Sequence, residues 1–165
     1  MADDRSRRQA RQIEPRPPAG IVAYLDGTEL PAKIGTSIDL LTVDEEGWPR
    51  PAHLSVGEVL LSSTGEVRLA LHAGSSSTAN VRRSSRVVLV LVLDGAIHEL
   101  RFEVVERSTL TEPPLALFSG VLVSTREHRA PYAEVTGGTT YELNDPPGTL
   151  RRWERQIEAL RKLDG

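Results

Sequence analysis

The chain contains no cysteine, so it holds no disulfide, no thiolate zinc site and no cysteine-ligated iron–sulfur cluster, and it offers no thiol nucleophile. Aromatic residues are sparse at 4%. No segment approaches the apolar length that a membrane span needs, and the early arginines at 5, 7, 8, 11 and 16 are not followed by the apolar core of a secretory signal. Charge of one sign is lacking too: 20 basic residues face 23 acidic ones, a formal net charge of -3. A pull toward nucleic acid is therefore not expected, and any attraction for an anion has to be local. These absences predict a soluble cytoplasmic protein with neither nucleic acid nor membrane among its partners.

What is present is enough for one domain: 165 residues at 39% hydrophobic content support a single core. Residues 1–20 carry Asp3, Asp4 and Glu14 among the arginines, and Pro15, Pro17 and Pro18 oppose helix, so this stretch reads as a disordered tail. From residue 37 to 106 short β-type runs alternate with turn signals. The run 37–43 ends at DEEGWPRP, AHLSVGEVLL follows as a second strand, and 67–72 alternates apolar and polar residues as a third. RVVLVLVL and AIHELRFEVVE flank Asp94-Gly95, a favoured pair for a two-residue type I′ turn, which predicts a hairpin. Its first arm, 87–93, is apolar at every position, so both faces should be covered, the outer one by another element or a second subunit.

Residues 115–125 fit a strand or a buried helix, with Gly120 and the valines favouring strand. TGGTTYEL suggests a turn and a last short strand. NDPPGTLRRWERQIEALRKL then reads as a helix whose Leu150, Trp153, Ile157, Leu160 and Leu163 form one apolar stripe. The expected organisation is a tail over 1–20, a mainly β domain over 21–145 and a helix over 146–165 packed on it.

The candidate site is GSSSTANVRRSSR, residues 74–86, between two strands. A solvated Gly/Ser loop has this composition. So has the first turn of a short helix whose free N–H groups, hydroxyls and arginines would receive a phosphate. Other chemistry finds less support. His53, His72, His98 and His128 are scattered without zinc-motif spacing, so no metal site is expected. A lone histidine, His53 above all, is a candidate axial haem ligand. Phe118-Ser119-Gly120-Val121 is not the G-x-S-x-G turn of a hydrolase. Asp44, Glu45 and Glu46 fall in a turn, where solvation explains them. No residue presents itself as a committed catalytic acid or base.

The succession LLTVDEEGWPRPAHLS, VRLALHAGSSSTANVRRSSRVVLVLV and the DG hairpin into ELRFEVVE resembles the FMN-binding split β-barrels related to pyridoxamine 5′-phosphate oxidase, over about residues 35–106. The resemblance implies an antiparallel split β-barrel, mainly β in an α+β arrangement, with a short helix after the third strand and a C-terminal amphipathic helix. It implies a homodimer with FMN at the subunit interface. Ser76, Ser77, Thr78, Asn80 and Arg82 or Arg83 would then hold the flavin phosphate, while His53, Leu54 and Ser55 would lie beside the isoalloxazine. Many flavin-binding relatives carry lysine where this chain has Thr78, and the substrate-gripping tail of the authentic oxidase has no counterpart. The implied function is a flavin-dependent oxidoreductase of unassigned small-molecule substrate. The alternative is a non-catalytic protein that binds flavin, deazaflavin F420 or haem on the same barrel.

Overall fold

A computed structural model describes residues 15–164. Seven strands form one antiparallel sheet in the order β2-β1-β5-β6-β7-β4-β3, curled into a half-barrel. The strands are β1 (Ile38–Val43), β2 (Pro49–Leu54), β3 (Val59–Leu61), β4 (Glu66–His72), β5 (Arg86–Leu93), β6 (Ala96–Leu110) and β7 (Leu115–His128). Three helices accompany them: α1 (Ala19–Tyr24), α2 (Ser76–Ser84) and α3 (Pro146–Arg161). The tail expected over 1–20 lies outside the described residues up to 14, and its last two residues already belong to α1.

AHLSVGEVLL is two strands rather than one. The chain turns at residues 55–58, where Glu58 N–H donates to the Ser55 carbonyl at 3.1 Å, and β3 leaves β2 to pair with β4. The short helix consequently follows the fourth strand, not the third. The hairpin at Asp94-Gly95 forms as its sequence requires, with φ of 51° and 76° at the two turn residues. Residues 115–125 are strand, inside β7. The last short strand expected in TGGTTYEL does not form: that segment contributes a single bridge, Thr36 to Thr140. Gly137 and Gly138 there leave the chain no β-branched run long enough to hold a ladder.

The period of two along β5 and β6 explains the core. Val87, Leu89 and Leu91 point inward with Leu100, Phe102 and Val104, against Ile38, Leu40, Val67 and Leu69. The stripe of α3 completes it: Trp153, Ile157 and Leu160 are buried, and Leu150 and Leu163 pack at its margin. Gly57 sits so close to this helix that a Cβ there would lie 2.0 Å from Trp153 Cγ. That approach clamps the β2–β3 turn onto α3, and it is what shapes the cleft described below.

The outer face of the same strands is less covered. Val88, Val90 and Val92 are half-buried, while Val43, Ile97, Val105, Val121 and Val123 are exposed, Val121 to 60%. Within one chain, then, the outer side of the all-apolar β5 arm is only partly covered.

Candidate functional site

Residues 74–86 do fold into a helix, and Ser75 is its N-cap. The Ser75 hydroxyl oxygen accepts the Thr78 N–H at 3.1 Å, as a serine cap should. Thr78 is fully buried, and its hydroxyl donates to the His72 carbonyl at 2.8 Å, tying the helix to the end of β4. Asn80 is buried as well, its amide donating to Thr42 Oγ1 at 3.0 Å on β1. Arg82 reaches Glu106 on β6 through Nε and Nη2. That contact holds the Glu106 carboxyl below the usual carboxylate range and raises the Arg82 guanidinium. Arg83 donates to the Val43 carbonyl and to Asn80 Oδ1, with Glu45 at 3.9 Å.

The residues predicted for a phosphate thus gather on one short helix, but their exposure divides them. Thr78 and Asn80 face the fold. Ser76 is exposed and Ser77 half-buried, and their backbone N–H groups are the first two of the helix, which have no carbonyl within it to bond.

The other three predicted residues stand at the far end of β1 and β2. Thr42 pairs with Arg50 near α2, while Asp39 pairs with His53 three residues along, about 10 Å away at strand rise. There His53, Leu54 and Ser55 border a cleft of about 370 Å³ between the β2–β3 turn, the segment around Tyr141 and α3. His53 Nδ1 lies 2.9 Å from Asp39 Oδ1 and 3.2 Å from Ser37 Oγ. Both contacts are to the same ring nitrogen, so this is not a nucleophile–base–acid relay, which needs the two nitrogens to serve different partners. It is an oriented imidazole, Nδ1–H toward the carboxylate and Nε2 left as the acceptor.

Deeper in the cleft, Glu58 Oε2 accepts the Ser55 N–H at 2.6 Å and its hydroxyl at 2.8 Å. Burial pushes the Glu58 carboxyl up in spite of those bonds and of the nearby Arg152 charge. Burial raises the Tyr141 hydroxyl, with Tyr24 and Glu58 adding to the effect and a backbone hydrogen bond at Gly35 opposing it. Trp153, Leu54 and Leu143 give the cleft an apolar wall, and Arg152 stands among its lining residues.

Sequence reasoning missed Ser37, Asp39, Glu58, Tyr141 and Arg152. The signal for Asp39 was present: counting outward from the turn after Val43, an antiparallel hairpin puts Asp39 opposite His53. Glu58 and Tyr141 had no such signal: the β2–β3 turn is set by its contact with Trp153, and the segment around Tyr141 is bonded to residues 35–37, Tyr141 N–H donating to the Gly35 carbonyl at 2.9 Å, both pairings between parts of the chain about a hundred residues apart. Among the described residues no cluster of three metal-ligating side chains occurs.

The chain is 31% identical over 140 residues to the uncharacterized protein YclD of Bacillus subtilis (strain 168), covering 84% of this chain and 91% of that protein. It belongs to the YclD family. No protein-family model matches it. Among solved structures, this member of the YclD family is similar to an FMN-binding protein from Syntrophomonas wolfei, at 16% identity over 67% of this chain and 90% of that one, TM-score 0.43. It is also similar to the styrene monooxygenase flavin reductase of Pseudomonas putida S12, at 16% identity over 61% and 84%, TM-score 0.46. An F420 reductase matches at 13% identity over 57% and 91%, TM-score 0.45. No helix of the described residues is long and apolar enough to cross a membrane.

Proposed function

We propose that this YclD-family protein is an FMN-dependent oxidoreductase acting on a small molecule, with its cofactor spanning the β1–β2 hairpin. One observation carries the reading: α2, whose Asn80 and Arg83 bond β1 at Thr42 and Val43, and the polar, apolar-walled cleft that His53 borders opposite Asp39 are both attached to the β1–β2 hairpin, at points about 10 Å apart along β1. That spacing suits a ligand with an anionic group at one end and a planar ring at the other.

The residues fit such a group in part. Ser76 and Ser77 would receive the phosphate through backbone N–H and hydroxyl donors. Arg83, whose carboxylate neighbour is at 3.9 Å, is the better placed cation, since Arg82 is committed to Glu106. Thr78 and Asn80 would set the helix in place rather than touch the phosphate. His53, Leu54 and Ser55 would border the ring. When bound, FMN supplies hydride or electron chemistry, and the chain supplies position and electrostatics.

The exposed apolar outer face supports a homodimer. Val43, Ile97, Val105, Val121 and Val123 lie on the same side of the sheet as Asp39 and His53, so a second copy covering the valines would border the cleft.

Thr78 in place of the lysine that many flavin-binding relatives carry, and the lack of a counterpart to the substrate-gripping tail, favour a second reading, binding without turnover, in which FMN, F420 or haem is held on the same dimeric barrel. Absorption spectra after addition of each of the three and desalting test retention. Oxidation of NAD(P)H with an added acceptor then separates the oxidoreductase from the binding protein.

A further inference from the structure

We infer that His53, aimed by Asp39 and Ser37, is a proton-accepting group for a small weak acid bound in the cleft, which the site takes up as its anion beside Arg152. The inference deepens the reading above and rests on the cleft being the ligand-facing half of the site.

The geometry of the imidazole comes first. Asp39 and Ser37 both engage Nδ1, at 2.9 and 3.2 Å, and neither touches Nε2. A carboxylate on Nδ1 fixes the tautomer, leaves the Nε2 lone pair outward and stabilises the imidazolium formed when Nε2 takes a proton. A plain surface ion pair would not need a cleft beside it. Here His53 is one of the lining residues, and the same lining includes the cation an anion requires, Arg152. Trp153, Leu54 and Leu143 supply an apolar wall for a flat or aliphatic body.

The charged and titratable groups around His53 are Asp39 on β1, Glu58 in the β2–β3 turn, Arg152 on α3 and Tyr141. Farther along the same row of the sheet, Glu99 on β6 is ion-paired with Arg101 at 2.9 Å, so their charges largely offset.

The step balances without a co-reactant. The O–H or N–H bond of the ligand breaks, its proton forms the Nε2–H bond, and the electron pair stays on the ligand atom facing Arg152. The ligand class is therefore a phenol, an enol or a cyclic imide, small enough for about 370 Å³. Asp39 and Ser37 are positioning residues; His53 is the one that meets the ligand.

4-Nitrophenol is a direct probe, because its phenolate is yellow and its phenol is not. It is added to flavin-free full-length protein at about pH 6, with binding followed by calorimetry and ionisation by the phenolate band. The expected result is a bound probe with an enhanced phenolate band. His53→Gln lowers the phenolate fraction about tenfold, and Asp39→Asn lowers it several-fold while binding persists, which a merely structural Asp39 would not produce. Thermal melting confirms that both variants fold; Ser37→Ala gives a third, milder reading. A probe bound as the neutral phenol, a phenolate band unchanged in His53→Gln, or no binding at millimolar probe overturns the inference. FMN titration is read separately: loss of FMN binding with the phenolate band retained removes the flavin and keeps the proton site, and the converse result does the opposite.

Discussion

Arg82 grips Glu106 at two points, Nε to Oε2 at 2.7 Å and Nη2 to Oε1 at 2.8 Å. An arginine that the sequence offers to a phosphate is thereby given to a carboxylate on β6, and α2 is fastened to the sheet instead.

Releasing that arginine should strengthen the anion site. Glu106→Gln leaves Arg82 with its Ala73 carbonyl contact only and free to turn toward a bound phosphate. FMN affinity is expected to rise about tenfold, since a charge-assisted contact is gained without a new residue. Fluorescence titration of FMN measures this, and equal or weaker binding in the variant would place the phosphate elsewhere.

Ser76, Ser77, Thr78 and Asn80 of α2 should separate into two behaviours. Thr78→Val removes a buried hydroxyl bonded to the His72 carbonyl, and Asn80→Ala removes the amide bonded to Thr42, so each is expected to cost about 1–2 kcal/mol in urea unfolding. Ser76→Ala and Ser77→Ala together should leave the urea midpoint nearly unchanged and weaken FMN. A ligand effect without a stability effect at Thr78 would contradict this division.

Glu58 makes one segment of the stability–pH curve run opposite to the others. Its carboxyl is raised in the folded chain, so the folded state holds a proton that the unfolded chain has released. Its contribution is fully present below the ordinary carboxylate value and is lost as pH rises through the raised one. Asp26 and Glu106 are lowered, so theirs is lost as pH falls through their depressed values. Melting temperature measured across the acid range should therefore decline less toward neutrality in Glu58→Gln than in the parent. Parallel curves would refute the assignment.

The outer sheet face should carry the association of two chains. Val121→Glu with Val123→Glu puts two charges on the exposed apolar strip, and sedimentation is expected to show a dimer in the parent and a monomer in the variant. A parent that sediments as a monomer at micromolar concentration would remove the dimer from the account.

Much of this was legible because period, turn chemistry and capping act locally. The alternation in β4 and β6, the Asp94-Gly95 turn and the α3 stripe each follow from residues a few places apart. The break between β2 and β3 was hidden because one glycine between two apolar stretches is a weak turn signal, and the tight contact of Gly57 with Trp153 depends on a helix almost a hundred residues later. For the same reason the sequence showed His53, Leu54 and Ser55 but not Glu58, Tyr141 or Arg152. At α2 residue type was readable and direction was not: a serine and threonine run looks alike whether its hydroxyls face a ligand or the strand beneath. Burial of Thr78 and Asn80 distinguishes them.

The most direct test of the central claim is the visible spectrum of the purified protein after incubation with FMN and desalting, with Ser76→Ala/Ser77→Ala alongside. The account predicts a retained flavin band in the parent that is weakened in the double variant. A parent that emerges colourless, or a band of equal strength in both proteins, would contradict a flavin spanning from α2 to the His53 cleft.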